Sequence, residues 1–585
     1  MSLVSSVERG ATGVVDSGES CITVSAPGKI LVAGGYLVLD RPNVGVVLAA
    51  TARFFTSIKW TEEQAPVPLT EPTERVGTLS ERLRIKVESP QFRSVWWYDC
   101  VFYEDGRLPI LVARHDQASN IFVERALTYV LGYLLREGGA ECDTMKVALA
   151  QACNRGQTLA IKLRADNDFY SQTSQLRARG LLCTTEALAT LPPFLECPVS
   201  EDGTVVVAKT GMGSSAALTS SLVGGLLSFF GAARLPCFDD APCEKPAAAP
   251  ASGSAPDGLE SDPETSESLA LTHNLAQACH CVAQGKVGSG FDVSAAVYGT
   301  HTYTRFSPSE LADALSAGEA PTPTPDYLKA SADAPATPSP LDKISRCVRA
   351  RGGWDARRGV LRLPSCFRLL MGDVCGGSST PSMVRKVQAW RADPSTAERA
   401  KEVWSTLGST NTSIAETLNA LATASAGDAA AGNSFEAGAK VLSSLPSSKW
   451  AVTAGGDAVG EDTLEQLLQL KASFAKARQL LREMGEDAGV PIEPPVQTKL
   501  VDATSALPGV LCTGVPGAGG VDAVFAIVIH PDAEGGVRDL WASWVVGEAS
   551  AESNDGGAVV CPLLLTASEG GVQGGLLCTR SLAWE

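Results

Sequence analysis

The sequence predicts a mixed α+β protein built from two or more domains. Two extended segments within 21–60 are rich in Val, Ile, Leu and Phe, which is typical of β-strands. The segment NIFVERALTYVLGYLLREGG has apolar residues at helical spacing and ends in glycines, a helix stop signal. With 585 residues, the chain is several times longer than a usual domain.

The order of the elements suggests where the domains divide. Residues 1–20 form an N-terminal extension, and 21–365 form a first domain that carries insertions at about 237–267 and about 316–340. Both insertions are rich in Pro, Ala, Ser and acidic residues, and such segments cannot bury enough apolar area to offset their ordering entropy. A second domain is predicted over 366–585, where FRLLMGDV opens a new sheet, TLEQLLQLKASFAKARQLLREMG forms a long helix and GVPGAGGVDAVFAIVI leads from a Gly-rich turn into a strand.

Composition and charge exclude several classes of partner. Lys and Arg number 48 against 65 Asp and Glu, for a net charge of -17, and no basic run is interleaved with aromatic residues. Nucleic acid is therefore not an expected partner. The 16 cysteines are scattered without a CxxC pair, which favours reduced thiols in the cytoplasm. No signal or transit peptide is expected at the start. SLAWE at the end is not a peroxisomal address, although a peroxisomal location stays open.

One stretch could be mistaken for a membrane span. Residues 210–233 carry no charge, which meets the length rule for a transmembrane helix. The stretch is crowded with Gly, Ser and Thr, however, and such residues also let a helix approach its neighbours inside a protein. No membrane span is therefore expected.

The segment KTGMGSSAALTSSLVGGLL, 209–227, is the strongest candidate for a ligand site. TVVVAKT before the loop is predicted to be a strand and AALTSSLVGGLLSFF after it a helix. Backbone amides of a Gly-rich turn at a helix N-terminus favour an anion, so a phosphate site is expected. The Walker A pattern GxxxxGK[ST] is missing from the chain. A purely structural alternative is a serine pair that caps the helix and binds no ligand.

A dinucleotide site is a second alternative for this loop. Gly211, Gly213 and Ala216 match the loose fingerprint G-x-G-x-x-A. The fingerprint also needs an acidic residue about twenty positions later at the end of a second strand, and Asp239 and Asp240 instead lie in a Pro-rich insertion. The paired hydroxyls of the loop suit Mg²⁺ better, because that ion prefers hard oxygen ligands.

Three further Gly-rich corners, SAPGKILVAGGY, GKVGSGFDVSAAVYG and GVPGAGGVD, each adjoin a predicted strand or helix. Lys29 in the first corner either extends into solvent or points into a site. Asp292 in the second lies before helix-compatible VSAAV, where its simplest role is an N-terminal helix charge. Together, a lysine, an aspartate and a phosphate loop indicate a phosphate-handling site.

These segments, with DNDFYSQ, GGSSTPSMVRKV and IEPPVQTKLVD, resemble the GHMP kinase superfamily and, within it, the eukaryotic, plant-type phosphomevalonate kinase family. The resemblance implies an N-terminal ribosomal-protein-S5-like α/β domain and a C-terminal ferredoxin-like domain. It implies an ATP- and Mg²⁺-dependent phosphotransferase of the mevalonate pathway of isoprenoid synthesis, with 5-phosphomevalonate as acceptor and 5-diphosphomevalonate as product. The assembly is expected to be a monomer or homodimer.

The resemblance also implies roles for individual residues. The expected ATP-binding residues are Lys209, Thr210, Gly211, Met212, Gly213, Ser214, Ser215, Ala216 and Ala217. Lys29 would be catalytic and bridge the transferring group and the acceptor, and Asp292 would be catalytic by orienting Lys29 or the metal. Ser215 is the expected Mg²⁺ ligand, with Ser214 as second choice, and GVPGAGGVD is expected to support the phosphate loop.

The acceptor site and one metal ligand are less well defined by the sequence. Ser378, Ser379, Thr380 and Lys386 are the expected acceptor-binding residues, although this loop could equally cap the helix that follows it. Where mevalonate kinase has a magnesium-binding glutamate, this chain has His280, a poor magnesium ligand interpreted as a core histidine. A non-catalytic ligand-binding protein and a nicotinamide oxidoreductase are the competing functions.

Overall fold

The computed structural model describes residues 21–63, 79–103, 108–114, 118–136, 147–149, 151–152, 154–238, 263–312, 314–315, 340–348, 354–374, 380–426, 429–452, 459–546, 558–568 and 572–581. Strands and helices both occur throughout these ranges, so the predicted α+β class is confirmed. The expected N-terminal extension lies outside the described residues, as does most of the two insertions.

The larger sheet contains nine of the described strands. They are β1 Cys21–Ala33, β2 Gly45–Thr61, β3 Leu79–Ser89, β4 Ser94–Tyr103, β5 Ile110–Ala113, β6 Thr158–Ala165, β7 His301–Thr304, β8 Arg357–Val360 and β15 Leu577–Ser581. Their order is β15-β1-β2-β6-β3-β4-β5, and β7 joins β2 to β8. The predicted β-layer within 21–60 is confirmed as β1 and β2, which pair antiparallel with a bulge between Pro27 and Lys29.

The smaller sheet contains β9 Arg368–Asp373, β10 Val510–Gly514, β11 Ala523–Val528 and β14 Cys561–Pro562 in the order β10-β11-β9-β14. The strands predicted from FRLLMGDV and from GVPGAGGVDAVFAIVI are β9 and β11. A separate two-stranded ribbon pairs β12 Val545–Val546 with β13 Ala558–Val559. The chain then returns to the larger sheet, because β15 pairs with β1. The predicted range 366–585 therefore does not lie wholly on the smaller sheet, and the division at 365 stays a prediction.

The principal helices pack on these sheets and on one another. They are α1 Ile121–Arg136, α2 Thr173–Ala178, α3 Thr185–Ala189, α4 Ser214–Phe229, α5 Pro263–Gln284, α6 Phe291–Tyr298, α7 Pro340–Val348, α8 Thr380–Ala392, α9 Ala397–Ser425, α10 Ala429–Ser443, α11 Glu461–Ala488, α12 Pro495–Ser505 and α13 Glu534–Ser543. The helices predicted after the Gly-rich loop, in VSAAV and in TLEQLLQLKASFAKARQLLREMG are α4, α6 and α11. Helices α5 and α7 begin inside the ranges expected to be insertions, so those ends are ordered.

The uncharged stretch 210–233 contains α4, a helix buried inside the protein on nearly its whole surface. Its two adjacent glycines allow the close approach. A Cβ on Gly224 would lie 2.8 Å from Leu576, and one on Gly225 would lie 3.2 Å from Ile58 of β2. Across the described helices, none combines the length and apolarity that crossing a bilayer needs.

One predicted strand is wrong. TVVVAKT, 204–210, forms only isolated bridges, between Val199 and Val205 and between Tyr170 and Lys209. Val206 and Val207 are 47% and 39% exposed. The β-propensity of consecutive valines produces a strand only where a neighbouring strand and a buried face are available, and this segment runs along the surface.

Candidate active site

The Gly-rich loop ends where α4 begins, and two of its glycines have left-handed backbone conformations. The φ angles are +80° at Gly211 and +74° at Gly213, which caps the helix. Glycine adopts such angles without steric cost. The turn brings Ser214 and Ser215 into the first helical turn, where backbone amides and the helix dipole favour an anion. The loop therefore has the geometry of a phosphate site.

Lys29 lies against this loop. Its backbone N–H donates to the Met212 carbonyl at 3.0 Å, and its Nζ donates to the Gly211 carbonyl at 2.9 Å. Its stem crosses Gly213, where an added Cβ would meet Lys29 Cε at 3.0 Å. Nζ also lies 5.3 Å from the centre of the Phe291 ring. Of the two alternatives left open by the sequence, the lysine points to the loop.

The electrostatics of Lys29 follow from its partly enclosed position. Burial lowers the pKa of Lys29, and the negative charge of Asp292 opposes that shift. An ammonium group in this position has given up part of its hydration. It therefore interacts more strongly with a bound polyanion than a fully solvated lysine would.

Asp292 lies in the first turn of α6. Its Oδ1 accepts from the Val293 N–H at 3.0 Å, and its Oδ2 lies 4.0 Å from His280 Nε2. Gly290, two residues before Asp292, has φ +83°, and a Cβ there would lie 2.5 Å from Phe306. Asp292 thus has the helix-terminal position that its simplest role requires, and its charge also acts on Lys29.

His280 is buried, as expected of a core histidine, but it also joins the site. Its Nε2 lies 3.1 Å from Ser215 Oγ and 3.2 Å from the amide nitrogen of Gln284. Because an amide nitrogen can only donate, Nε2 accepts and the ring is neutral. Burial lowers the pKa of His280, with Asp292 opposing the shift, which agrees with a neutral ring. The sequence interpretation missed that this histidine connects α4 to Asp292.

A short segment after β6 supports the loop from the other side. Tyr170 forms an isolated bridge with Lys209 of the loop, and burial raises the pKa of Tyr170 while the Ser214 hydroxyl opposes that shift. The Thr210 hydroxyl donates to the Asp168 carbonyl at 2.6 Å. The Asp168 carboxylate accepts from the Leu564 N–H at 3.2 Å, and burial raises its pKa to about 6. Neither Tyr170 nor Asp168 was among the predicted site residues, although the resemblance had included the DNDFYSQ segment.

The GVPGAGGVD corner packs on the first corner. The Gly517 N–H donates to the Leu31 carbonyl at 3.0 Å, and the Tyr36 hydroxyl donates to the Ala518 carbonyl at 2.8 Å. A Cβ on Gly35 would lie 2.3 Å from the Gly517 carbonyl oxygen. Leu31 lies on β1, the strand that carries Lys29, and Gly35 and Tyr36 follow shortly after it, so any support for the phosphate loop passes through this part of the chain.

The expected acceptor residues are only partly described. Ser378 and Ser379 lie outside the described residues. Thr380 is the first residue of α8 and Lys386 lies on the same helix, both exposed. Across the described part of the chain, no hydrogen bond or ion pair joins either residue to the phosphate loop, so their role stays a prediction.

The oxygen atoms of the site fit Mg²⁺ that arrives with a nucleotide. Among the described residues, no group of three or more His, Cys, Asp or Glu side chains could hold a metal ion by itself. Ser215 Oγ and Asp292 Oδ2 nevertheless approach the same His280 nitrogen, at 3.1 and 4.0 Å. Mg²⁺ keeps several waters and is commonly held by one or two protein oxygens plus phosphates. A hydroxyl and a carboxylate placed this way match that requirement.

Comparison with known proteins decides the family. The chain is 34% identical to "Phosphomevalonate kinase, peroxisomal" of Arabidopsis thaliana over 533 residues, covering 89% of this chain and 92% of the relative. It is 32% identical to a phosphomevalonate kinase of Aspergillus fumigatus, covering 92% of each. The chain belongs to the phosphomevalonate kinase family. The resemblance seen in its Gly-rich segments is thereby confirmed.

This member of the phosphomevalonate kinase family was also compared with family models and with solved structures. No family model matches the chain. Among solved structures, the Lin0012 protein of Listeria innocua is similar in fold, with a TM-score of 0.51 at 15% identity, covering 96% of this chain and 100% of that one. At that identity the likeness concerns the fold alone.

Proposed function

We propose that the chain transfers the γ-phosphoryl group of ATP to the phosphate of (R)-5-phosphomevalonate, giving (R)-5-diphosphomevalonate and ADP. The observation that carries the proposal is the position of Lys29, whose ammonium lies on a left-handed glycine turn at the N-terminus of α4. Membership of the phosphomevalonate kinase family supports the choice of acceptor.

The chemistry requires alignment and charge neutralisation more than proton transfer. The second pKa of a phosphate monoester lies near 6, so the acceptor oxygen is already an anion at neutral pH. Two polyanions must approach each other, and phosphoryl transfer is catalysed mainly by positioning and electrostatic stabilisation. A general base is not needed, which separates this reaction from phosphoryl transfer to an alcohol.

The residues of the site divide these tasks. The backbone of 209–217 holds the phosphates of ATP, and Lys29 bridges the transferring group and the acceptor oxygen. Asp292 keeps Lys29 charged, because its negative charge opposes the effect of burial on the lysine pKa. Tyr170 supports the start of the loop through its bridge to Lys209. Bound Mg²⁺ would be held by Ser215 with Asp292 beside it, and it would neutralise charge on the phosphates.

The proposed acceptor site uses residues just before and within α8. Hydroxyls of Ser378, Ser379 and Thr380 and the charge of Lys386 bind the 5-phosphate, and this assignment follows the family resemblance. The first helical turn of α8, which begins at Thr380, would add backbone amides that favour an anion. The neutral variant Lys386→Gln tests it through the KM for 5-phosphomevalonate.

The remaining predictions follow from the composition and the relatives. The partner is a small molecule, and the chain works as a monomer or homodimer. A cytoplasmic location is proposed from the sequence, whereas the Arabidopsis relative is named peroxisomal. Fractionation of the native source with peroxisomal marker proteins distinguishes the two compartments.

A nicotinamide oxidoreductase is a weaker candidate. That function needs a strand before the Gly-rich turn, and 204–210 forms only isolated bridges. A thermal-shift comparison separates the two: a ligand present at a hundredfold its Kd adds about 2.7 kcal/mol of stability. MgATP is expected to raise the Tm and NAD to leave it unchanged.

Direct transfer tests the proposed reaction. ATP labelled in the γ-phosphoryl group is incubated with 5-phosphomevalonate, Mg²⁺ and the protein, and the products are separated. The label is expected in 5-diphosphomevalonate. Label released as inorganic phosphate without acceptor labelling would contradict the transfer, and no release of label would support a non-catalytic binding protein.

A further inference from the structure

A buried histidine contacts the hydroxyl group that the proposed function assigns to Mg²⁺. His280 lies near the C-terminal end of α5 and is 2% exposed. Its Nε2 lies 3.1 Å from the Oγ of Ser215, in the first turn of α4. Its ring packs against that of Phe122 in α1, with 5.4 Å between the ring centres. Three helices therefore hold the imidazole and the hydroxyl at hydrogen-bonding distance.

The direction of this hydrogen bond follows from a second contact of the same nitrogen. Gln284 lies four residues after His280 on α5, so the two side chains share a helix face. Its amide nitrogen lies 3.2 Å from His280 Nε2. An amide nitrogen can only donate, so Nε2 carries no proton and accepts. The Ser215 hydroxyl can donate or accept, and here it must donate. Its lone pairs are then directed away from the histidine.

The same arrangement does not use the outer oxygen of Asp292. Asp292 Oδ2 lies 4.0 Å from His280 Nε2, which is beyond hydrogen-bonding distance. Two atoms that both lack a hydrogen also cannot bond to each other. An unprotonated Nε2 therefore takes the hydrogen of Ser215 and leaves the lone pairs of Asp292 Oδ2 available. The histidine thus favours two oxygen atoms that can each face a cation.

We propose that His280 is a positioning residue for the metal site: it accepts the Ser215 hydrogen and fixes the hydroxyl with its lone pairs toward the Mg²⁺ that arrives with ATP. The inference rests on the proposed function, in which Ser215 is the metal ligand. A hydroxyl hydrogen rotates to suit its surroundings, so without an acceptor on this side it can turn toward the cation and repel it. Loss of a group that orients a metal ligand typically costs about 10- to 100-fold in metal affinity.

ATP binding with and without Mg²⁺ tests the role of the acceptor atom. The Kd for ATP is measured by calorimetry in excess Mg²⁺ and in EDTA, for the wild type and for two variants. His280→Leu keeps an apolar side chain beside Phe122 but has no acceptor. It is expected to weaken the Mg²⁺-dependent part of ATP binding about tenfold or more and to leave the Kd in EDTA unchanged. His280→Gln, whose amide oxygen can replace Nε2, is expected to recover most of the loss.

The result also distinguishes this inference from the proposed function. A wild type that binds no ATP and transfers no phosphoryl group would contradict the proposed function. A wild type with normal transfer, together with a His280→Leu variant whose Kd is unchanged or rises equally in Mg²⁺ and in EDTA, would overturn the role of His280 alone. Failure of His280→Gln to recover Mg²⁺-dependent binding would also overturn it.

His273→Leu is the matched control. His273 lies two turns before His280 on the same helix and is 1% exposed, so its replacement perturbs a comparable buried position. It is expected to lower the Tm without changing the ratio of the two Kd values for ATP. An equal change of that ratio in both variants would show that disturbance of α5, and not the acceptor atom, controls metal binding.

Nuclear magnetic resonance tests the position of the proton directly. The chain has five histidines, and the ¹⁵N signals of His280 in histidine-labelled protein are assigned by their absence from His280→Gln. An unprotonated Nε2 is expected at neutral pH, and its signal is expected to shift more with MgATP than with ATP in EDTA. A proton on Nε2 would overturn the proposal, because the Ser215 hydroxyl would then accept and turn a lone pair toward the histidine.

Discussion

Replacing Gly213 by alanine displaces Lys29 without removing any of its functional atoms. The added Cβ would lie 3.0 Å from Lys29 Cε and 3.2 Å from Lys29 Cγ, closer than ordinary van der Waals contact. The backbone at this position has φ +74° and caps α4, so it cannot relax freely. The lysine stem must therefore move, and the 2.9 Å bond from its Nζ to the Gly211 carbonyl is lost or lengthened.

Two separate effects are expected from this change. The left-handed conformation costs an alanine about 1–2 kcal/mol of stability. Moving a positioning group by about 1 Å can cost about a hundredfold in rate. The contact with Gly213→Ala requires the lysine stem to move by a few tenths of an ångström, so kcat for ADP formation is expected to fall by roughly three- to tenfold. The measurements are kcat at saturating MgATP and 5-phosphomevalonate, and the Tm of the purified protein.

Gly203→Ala is the matched control. Gly203 has φ +84° in an exposed turn, and a Cβ there would meet nothing within 4 Å. It has the same backbone cost but no contact with Lys29, so the Tm should fall to a similar extent while kcat stays unchanged. If both variants lost the same fraction of kcat, or if Gly213→Ala kept full kcat, the role given to the position of Lys29 would be refuted.

Three further predictions concern the site and the fold. Lys29→Ala is expected to lose more kcat than Asp292→Asn at saturating substrates, because the reaction needs charge and no general base; the reverse order would contradict this. Gly519→Ala places a Cβ 2.1 Å from the Ile492 carbonyl oxygen and should destabilise the protein by about 3 kcal/mol. Gly517→Ala, left-handed but with open space around the Cβ, should cost about 1 kcal/mol, and equal Tm losses would count against the packing argument. Burial lowers the pKa of His301 to about 4, so its neutral form stabilises the fold above pH 6.5 and this stability is lost as the pH falls toward 4. Between pH 6.5 and 5, the free energy of unfolding of His301→Gln should fall by about 1.4 kcal/mol less per pH unit than that of the wild type, as measured by chemical unfolding at both pH values. An equal fall in the two proteins would refute this prediction.

The acid sensitivity of His301 follows from its hydrogen bonds. Its Nδ1 lies 2.8 Å from the Gly299 carbonyl, so this nitrogen donates, and its Nε2 lies 2.8 Å from the Ser294 hydroxyl and accepts. Protonation of Nε2 would remove the acceptor and add a charge in a buried position. The unfolded chain binds that proton at a higher pH than the folded chain does, which is why acid favours unfolding.

The sequence predicts the local parts of the fold well. Hydrophobic periodicity and Gly-rich turns are local signals, and they locate β1, β2, α1, α4 and α11. The failed strand at 204–210 has the valine content of a strand but no neighbour to pair with. The return of β15 to β1 is equally unpredictable from local pattern, because it depends on pairing between the two ends of the chain.

The site is predicted where one short segment carries the chemistry. The Gly-rich loop, Lys29 and Asp292 each lie in such a segment, and the structure brings them together. Tyr170 and Asp168 were missed because their contacts to the loop arise only after the chain folds back from β6. His280 was correctly interpreted as buried, but its contact with Ser215 depends on how α5 packs against α4, and the spacing of residues does not report that.

ADP release by the purified protein from MgATP, with 5-phosphomevalonate and with mevalonate as parallel acceptors, tests the central claim most directly. The account predicts strong turnover with 5-phosphomevalonate and none above background with mevalonate. Turnover with mevalonate in its place would contradict the proposed acceptor. No ADP release above background with either acceptor would contradict the proposed phosphoryl transfer itself.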